Sequence, residues 1–271
     1  ETLNPIRSFK GRGTDYFVKQ QGQAPAFVCA SAGNFGQGMA YACRQQNIPL
    51  MVFAAETANP LKLERMQQLG ADVQLAGADF DAAKDAGKAY AANHGLPYVE
   101  DGREPEVTAG AGTIGLELSQ YPEPIGTLLI PVGNGALING IGTWFKAYSP
   151  QTRVIGVVAE GAPAMDWSWK RGSLITTETV NTIADGIGVR VPVPQALELM
   201  QTTVDEILQV ADAATLKAMQ QIHQMAGVVV EPAGAVGLAA AMVYGERFAG
   251  QLVATPLCGS NLTIAQMEQW L

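Results

Sequence analysis

Ala26-Phe27-Val28-Cys29-Ala30-Ser31-Ala32-Gly33-Asn34-Phe35-Gly36-Gln37-Gly38 is the stretch on which the fold class turns. Its first five residues form a short apolar run of strand length, and a glycine-containing turn follows at once. From Gly36 to Gln46 apolar residues recur every three or four positions, which predicts a helix. A strand, a tight turn and a helix in thirteen residues make the start of a parallel βα unit. The same alternation extends outward. Pro49–Ala55, Asp72–Leu75, Thr127–Val132, Arg153–Ala159 and Leu252–Leu257 read as strands, and Pro60–Leu69 and Asp79–His94 as helices. Two helix starts carry chemical signals: Asn59 before Pro60, and Asp79 before Phe80 and Asp81. Strands flanked by helices on both sides predict an α/β fold with mostly parallel sheets covered on both faces.

Composition narrows the function. Hydrophobic residues make up 48% and charged residues 15% of 271, an ordinary globular balance. The net charge of −8 argues against a nucleic-acid partner, because phosphate backbones require a dense Lys/Arg surface. The apolar stretch Ala233–Tyr244 is too short to span a bilayer, so no membrane partner is expected. Cys29, Cys43 and Cys258 lack metal-ligand spacing, and an odd, sparse count fits a reducing, cytoplasmic setting. Two histidines, His94 and His223, leave little material for histidine-based chemistry. The charged, Gly- and Pro-containing segment Glu100–Gly112 separates two groups of strands and reads as a domain crossing; clefts at such crossings commonly take small molecules.

Four segments carry chemistry. Ser8-Phe9-Lys10-Gly11-Arg12-Gly13 holds an amine that can attack an aldehyde and later act as a base, although a lone lysine is more often a solvated charge. Ser31-Ala32-Gly33-Asn34 follows a strand and opens a helix, so backbone N–H groups and two polar side chains are available to a carboxylate; an ordinary βα turn has the same composition. Pro131-Val132-Gly133-Asn134-Gly135-Ala136-Leu137 repeats that arrangement with less side-chain bulk and suits a phosphate, the alternative being a tight turn. It lacks the Lys-Ser/Thr pair of a nucleotide-binding P-loop. Leu257-Cys258-Gly259-Ser260-Asn261 closes the last strand, where Cys258 is either a buried thiol or a neutral partner for a ring nitrogen.

In this order the four segments resemble the serine/threonine dehydratase branch of the fold-type II pyridoxal-phosphate enzymes, the tryptophan synthase beta-like family. The likeness runs over essentially the whole chain and includes Thr182-Ile183-Ala184-Asp185-Gly186 and Glu231-Pro232-Ala233-Gly234-Ala235. It implies two three-layer α/β/α domains: a large cofactor-binding one, residues 1–24 with 104–271, and a small one, residues 25–103. It further implies that Lys10 forms the Schiff base with pyridoxal 5'-phosphate and then serves as acid and base at the substrate Cα. Phe9 packs beside the pyridine ring, Asn34 meets the ring's 3-oxygen, and Ser31 with the Ala32–Gly33 backbone grips the substrate carboxylate. Gly133, Asn134, Gly135, Ala136 and Leu137 hold the phosphate, and Cys258 faces the pyridine nitrogen. The implied reaction is β-elimination of L-threonine or L-serine to a 2-keto acid and ammonia, with the cofactor phosphate protonating the departing hydroxide, in a homodimer.

Several positions refine this expectation. Ala32 occupies the place where a related racemase has serine; alanine transfers no proton, which favours the dehydratase. Glu160, Ala164 and Asp166 resemble a cation site of some relatives, with a solvated acidic loop as the alternative. Asn134 and Ala136 stand where relatives often carry glycine. Arg103 replaces a smaller polar residue and offers a partner for a second substrate carboxylate, as in 3-hydroxyaspartate, unless it points to solvent. The chain starts at Glu1 without an initiator Met, and relatives usually have a strand and helix before the lysine motif, so an upstream extension is expected. No regulatory domain is expected after the short helix that ends at Leu271. The competing readings are a β-replacing or threonine synthase-like enzyme of the same fold, a nucleotide-binding protein, and a catalytically silent ligand-binding relative.

Overall fold

The computed structural model describes residues 1–22, 24–58 and 60–271. Packing groups the chain into two compact units, residues 4–110 and residues 1–3 with 111–271. The first contains α1 (Lys10–Gln20), β1 (Phe27–Ala30), α2 (Asn34–Gln46), β2 (Leu50–Ala54), α3 (Pro60–Gln68), β3 (Asp72–Leu75), α4 (Phe80–His94) and β4 (Tyr98–Val99); α5 (Pro105–Leu118) starts in it and continues past its limit. The second contains β5 (Thr127–Pro131), α6 (Ala136–Tyr148), β6 (Arg153–Ala159), α7 (Ala164–Arg171), α8 (Pro194–Thr203), β7 (Glu206–Val210), α9 (Asp212–Ala226), α10 (Pro232–Val243), β8 (Val253–Ala254) and α11 (Ile264–Trp270).

Among the described residues each unit has one four-stranded parallel sheet, ordered β3-β2-β1-β4 in the first and β7-β6-β5-β8 in the second. The α/β expectation is met. Both sheets have the same logic: the chain moves outward from the first strand, then returns to pair on that strand's other side. Such a reversal opens a crevice at the carboxyl ends of the two strands flanking it, where open parallel sheets bind ligands. The reversal lies at β1/β4 in one unit and at β5/β8 in the other, so residues following these four strands are the ones the topology presents. β1 and β5 are buried along their whole length, as central strands covered on both faces must be.

Differences from the sequence reading have local causes. The strand expected over Leu252–Leu257 is limited to Val253–Ala254, because Pro256 has no N–H to continue the ladder. Cys258 therefore sits in the loop beyond the strand rather than at its end. β4 has only two residues, too few to show periodicity, and β7 carries Glu206 and Gln209, which interrupt its apolar pattern. Asp79 caps α4 as expected, accepting from Ala82 N–H at 2.9 Å. The cap expected from Asn59 lies outside the described residues.

Candidate active site

In the unit spanning residues 4–110, the approach to Lys10 is tightly held. Asn4 Oδ1 accepts from the backbone N–H of Ile6 and of Ser8, and its Nδ2 donates to Ser8 O at 2.9 Å. This clamp keeps Arg7 in the left-handed region, φ 53°, a conformation a non-glycine residue adopts only when its surroundings impose it. Ser8 is fully buried, and Lys10 then opens α1. Two glycines let that helix sit deep. A Cβ on Gly38 of α2 would lie 2.7 Å from Thr14 Oγ1 and 3.3 Å from the Lys10 backbone carbon, and one on Gly13 would lie 2.4 Å from Val107 O. Lys10 is thereby fixed at a junction of three helices, not on a solvated face.

The Lys10 side chain is only 13% exposed, and Nζ lies 2.6 Å from Asp101 Oδ2 and 4.6 Å from the centre of the Phe9 ring. Asp101 follows β4, so this pair belongs to the β1/β4 reversal. After β1, on the other side of the same reversal, Ser31 Oγ accepts from Gly33 N–H at 3.1 Å and Gly36 N–H at 2.9 Å. As an acceptor from two amides, the hydroxyl keeps its own proton to donate. Asn34 begins α2, whose cap at Gly33 makes no side-chain hydrogen bond. Arg103 is committed internally: Nε donates to Glu104 Oε1 at 2.8 Å, a second nitrogen donates to Tyr98 O and Glu104 Oε1, and the third lies 3.7 Å from Glu100. Glu100 in turn pairs with Lys84 and Lys88. Burial, with Glu100 as a second cause, pushes the nearby Tyr98 hydroxyl well above its ordinary range.

In the other unit, the second reversal gathers the remaining motifs. Val132–Gly135 connects β5 to α6, and Gly135, at φ 92°, caps the helix without a side-chain hydrogen bond. That leaves first-turn amides and the positive helix end to a ligand. A Cβ at Gly133 would lie 3.0 Å from Gly186 O. Gly186 belongs to the 182–186 motif, which Asp212 secures through Thr182 Oγ1 and the Ile183 N–H. A Cβ on Gly186 would touch Ala233 at 3.0 Å. Glu231, the first residue of the 231–235 motif, binds the last one: its N–H donates to Gly259 O, and Oε2 accepts from Asn261 N–H. Cys258 is buried, with Sγ 3.8 Å from Ala233 O. Four motifs far apart in sequence are contiguous here.

Comparison with known proteins gives this arrangement a family. Residues 1–259 match the family described as pyridoxal-phosphate dependent enzyme. The chain belongs to that family. It is 34% identical to an L-threonine ammonia-lyase of Thermotoga maritima, covering 99% of this chain and 68% of the relative. It is 32% identical to the L-threonine dehydratase biosynthetic IlvA of Halalkalibacterium halodurans, covering 99% of this chain and 66% of that protein. The chain thus spans about two thirds of the length of these curated relatives. The processed form of threonine deaminase isoform 2 from Solanum lycopersicum superposes with a TM-score of 0.93 at 30% identity, over 99% of this chain and 80% of that one.

The residues fit the pyridoxal-phosphate family's cofactor. A partly buried primary amine is positioned on a helix start beside an aromatic ring, and the Gly133–Gly135 turn offers a cradle in which added side chains would collide. Cys258 is small and buried, with its thiol 3.8 Å from Ala233 O. Sequence reasoning passed over Asp101, for which no local signal existed beyond an acidic residue in a strand-to-helix turn. Glu160 is exposed at the end of β6, whereas Ala164 and Asp166 are buried on α7. Asp166 Oδ2 accepts from Lys170 and Gln209, and Oδ1 is buried without a hydrogen-bond partner among the described residues. No cluster of three or more His, Cys, Asp or Glu with metal-binding arrangement occurs among the described residues.

Proposed function

We propose that this chain catalyses pyridoxal-phosphate-dependent β-elimination of L-threonine or L-serine, yielding a 2-keto acid and ammonia. The observation that carries the reading is Lys10: an almost buried ammonium, 2.6 Å from Asp101, beside the Phe9 ring at a strand-order reversal. The family and the named activities of the relatives support it. When bound, the cofactor supplies an electron sink for the negative charge that develops at the substrate Cα.

The chain's own residues supply position and proton transfer. Lys10 Nζ holds the cofactor and moves the proton at Cα. The Ser31 hydroxyl and the Ala32–Gly33 backbone hold the substrate carboxylate, and Asn34 donates to the ring oxygen. Phe9 packs on the ring, Gly133, Asn134, Gly135, Ala136 and Leu137 hold the phosphate, and Cys258 faces the ring nitrogen without imposing a charge on it. Alanine at position 32 offers no second proton donor, so elimination is favoured over racemisation.

Around this core the reading includes a large domain of residues 1–24 with 104–271, a small domain of residues 25–103, a homodimer and a cytoplasmic setting. No helix among the described residues is long and apolar enough to cross a membrane. It also includes a cation bound by Glu160, the Ala164 carbonyl and Asp166, supported by the half-satisfied, buried Asp166 carboxylate. The deciding experiment is to purify the chain with pyridoxal phosphate, record its absorption, reduce it with borohydride, and follow keto-acid release from both substrates. A near-visible band fixed to Lys10, with turnover that Lys10→Ala abolishes, is expected. A protein that stays colourless and releases no keto acid would sink the proposal.

A further inference from the structure

We infer that the Lys170 ammonium is a tethered competitor for the cation at Asp166, so that an ion enters that site by displacing it. The inference rests on the cation reading above and concerns the unit of residues 1–3 with 111–271.

The Asp166 carboxylate is 0% exposed, and a buried charge has to be matched by an opposite charge and by hydrogen bonds. Both arrive on one oxygen. Lys170, one turn further along α7, brings Nζ to 2.8 Å from Oδ2, and Gln209 of β7 donates to the same oxygen at 2.6 Å. Oδ1 is buried with no hydrogen-bond partner among the described residues. Gln209 is neutral, so the charge of Asp166 is balanced by Lys170.

The two donors are held differently. Gln209 is built into the sheet: it is in register with Val158 of β6, and its carbonyl accepts from the Tyr244 hydroxyl at 2.9 Å. Lys170 is 56% exposed and reaches the carboxylate from solvent along its flexible stem. An ion on Oδ1 and an ammonium on Oδ2 would stand about 5 Å apart in a poorly screened place, where like charges repel strongly. Lys170 is the partner that can leave, because water receives it. Glu160, the exposed acid of the proposed ligand set, donates its N–H to Val210 O, beside Gln209. Lys146, Arg153 and Arg247 pair with Asp205 and Glu206 at the opposite end of β7, and Arg171, next to Lys170, is exposed.

The test follows Tm of the full chain, loaded with pyridoxal phosphate, as CaCl2, MgCl2 or KCl is added at constant ionic strength, with tetramethylammonium chloride as the non-coordinating salt. Apparent ion affinity is read from the midpoint of the rise. Lys170→Met removes the ammonium and keeps an unbranched apolar stem. It is expected to bind the ion about tenfold more tightly than the wild type, within the roughly 3- to 30-fold range of a half-exposed ion pair with one buried partner. Lys170→Gln, which keeps an N–H donor without the charge, is expected to tighten as well and decides the matter if Lys170→Met folds poorly. Arg171→Met removes the same charge one residue away and is expected to stay within about twofold of the wild type. Equal or weaker affinity in the Lys170 variants, or equal tightening by Arg171→Met, would overturn the competition and leave the cation reading standing. A Tm indifferent to all three ions in the wild type and in every variant overturns the cation reading and this inference with it. A response in the Lys170 variants alone retires the ion as a ligand of the unaltered chain and upholds Lys170 as the group that excludes it.

Discussion

Glu231 ties two loops of one sheet together: its Oε2 accepts from the Asn261 N–H at 3.0 Å, while its own N–H donates to Gly259 O at 2.9 Å. Gly259 is required for this approach, since a Cβ there would lie 2.2 Å from Glu231 Oε1. The side chain is buried, so its bond to Asn261 has no water to replace it. Glu231→Ala leaves a buried amide without its acceptor and should cost ~1–3 kcal/mol, whereas Glu231→Gln keeps an acceptor oxygen and should cost less than ~1 kcal/mol. Chemical denaturation of the two variants checks the difference. Equal losses would show that the charge, not the hydrogen bond, matters.

Gly135 combines a positive φ of 92° with a confined environment, a Cβ there lying 3.0 Å from Ala196. Gly135→Ala should therefore cost ~1–2 kcal/mol from backbone strain alone. If the amides after Gly135 hold the cofactor phosphate, as proposed, the variant should also weaken cofactor binding by moving them. Melting curves with and without pyridoxal phosphate separate the two effects. The cofactor-induced rise in Tm should shrink in the variant even after its lower intrinsic stability is allowed for.

Two cysteines should be chemically silent. Burial pushes the Cys29 thiol well above its ordinary range and Cys43 up to about 12. Both are therefore protonated in the folded state where the unfolded chain begins to ionise, from the ordinary value of 9.0 upward. The unfolded state then binds fewer protons, so these groups make stability fall as pH rises above 9.0, for Cys43 until about 12. At pH 8 a disulfide-exchange reagent should titrate the thiols of native protein slowly and those of denatured protein at once. Rapid labelling of Cys29 in the native state would contradict its burial.

The cation reading at Asp166 has its own check. Its carboxylate is 0% exposed, bridged to Lys170 and Gln209 through one oxygen. If Glu160 and Asp166 hold a divalent ion, millimolar Mg²⁺ or Ca²⁺ should raise Tm, and Glu160→Gln should abolish the rise with little effect on Tm in its absence, because Glu160 is exposed. Asp166→Asn should lower Tm in either condition, since Lys170 and Gln209 lose a charged acceptor. A wild-type Tm indifferent to either ion would dismiss the site.

Much was legible in the residues because it depends on neighbours in sequence. The period of apolar positions around Phe27–Ala30, the turn at Ala32–Gly33 and the helix that follows are local features, and they emerge with shifts of only a residue or two. Asp79 as a cap is local in the same way. β4 was hidden because two residues carry no period, and the end of β8 was misplaced because Pro256 acts on the hydrogen-bond ladder and not on hydrophobicity.

By itself, then, the sequence determined an α/β chain with glycine turns after its central strands and a lysine motif ahead of them. The tertiary structure decided which charges meet. Asp101 reaches Lys10 across 91 positions of sequence, and Arg103 meets Tyr98 O and Glu104. An ion pair has no periodicity and no local composition; it exists only once parallel pairing of β4 on β1 has brought the turn after β4 beside the start of α1.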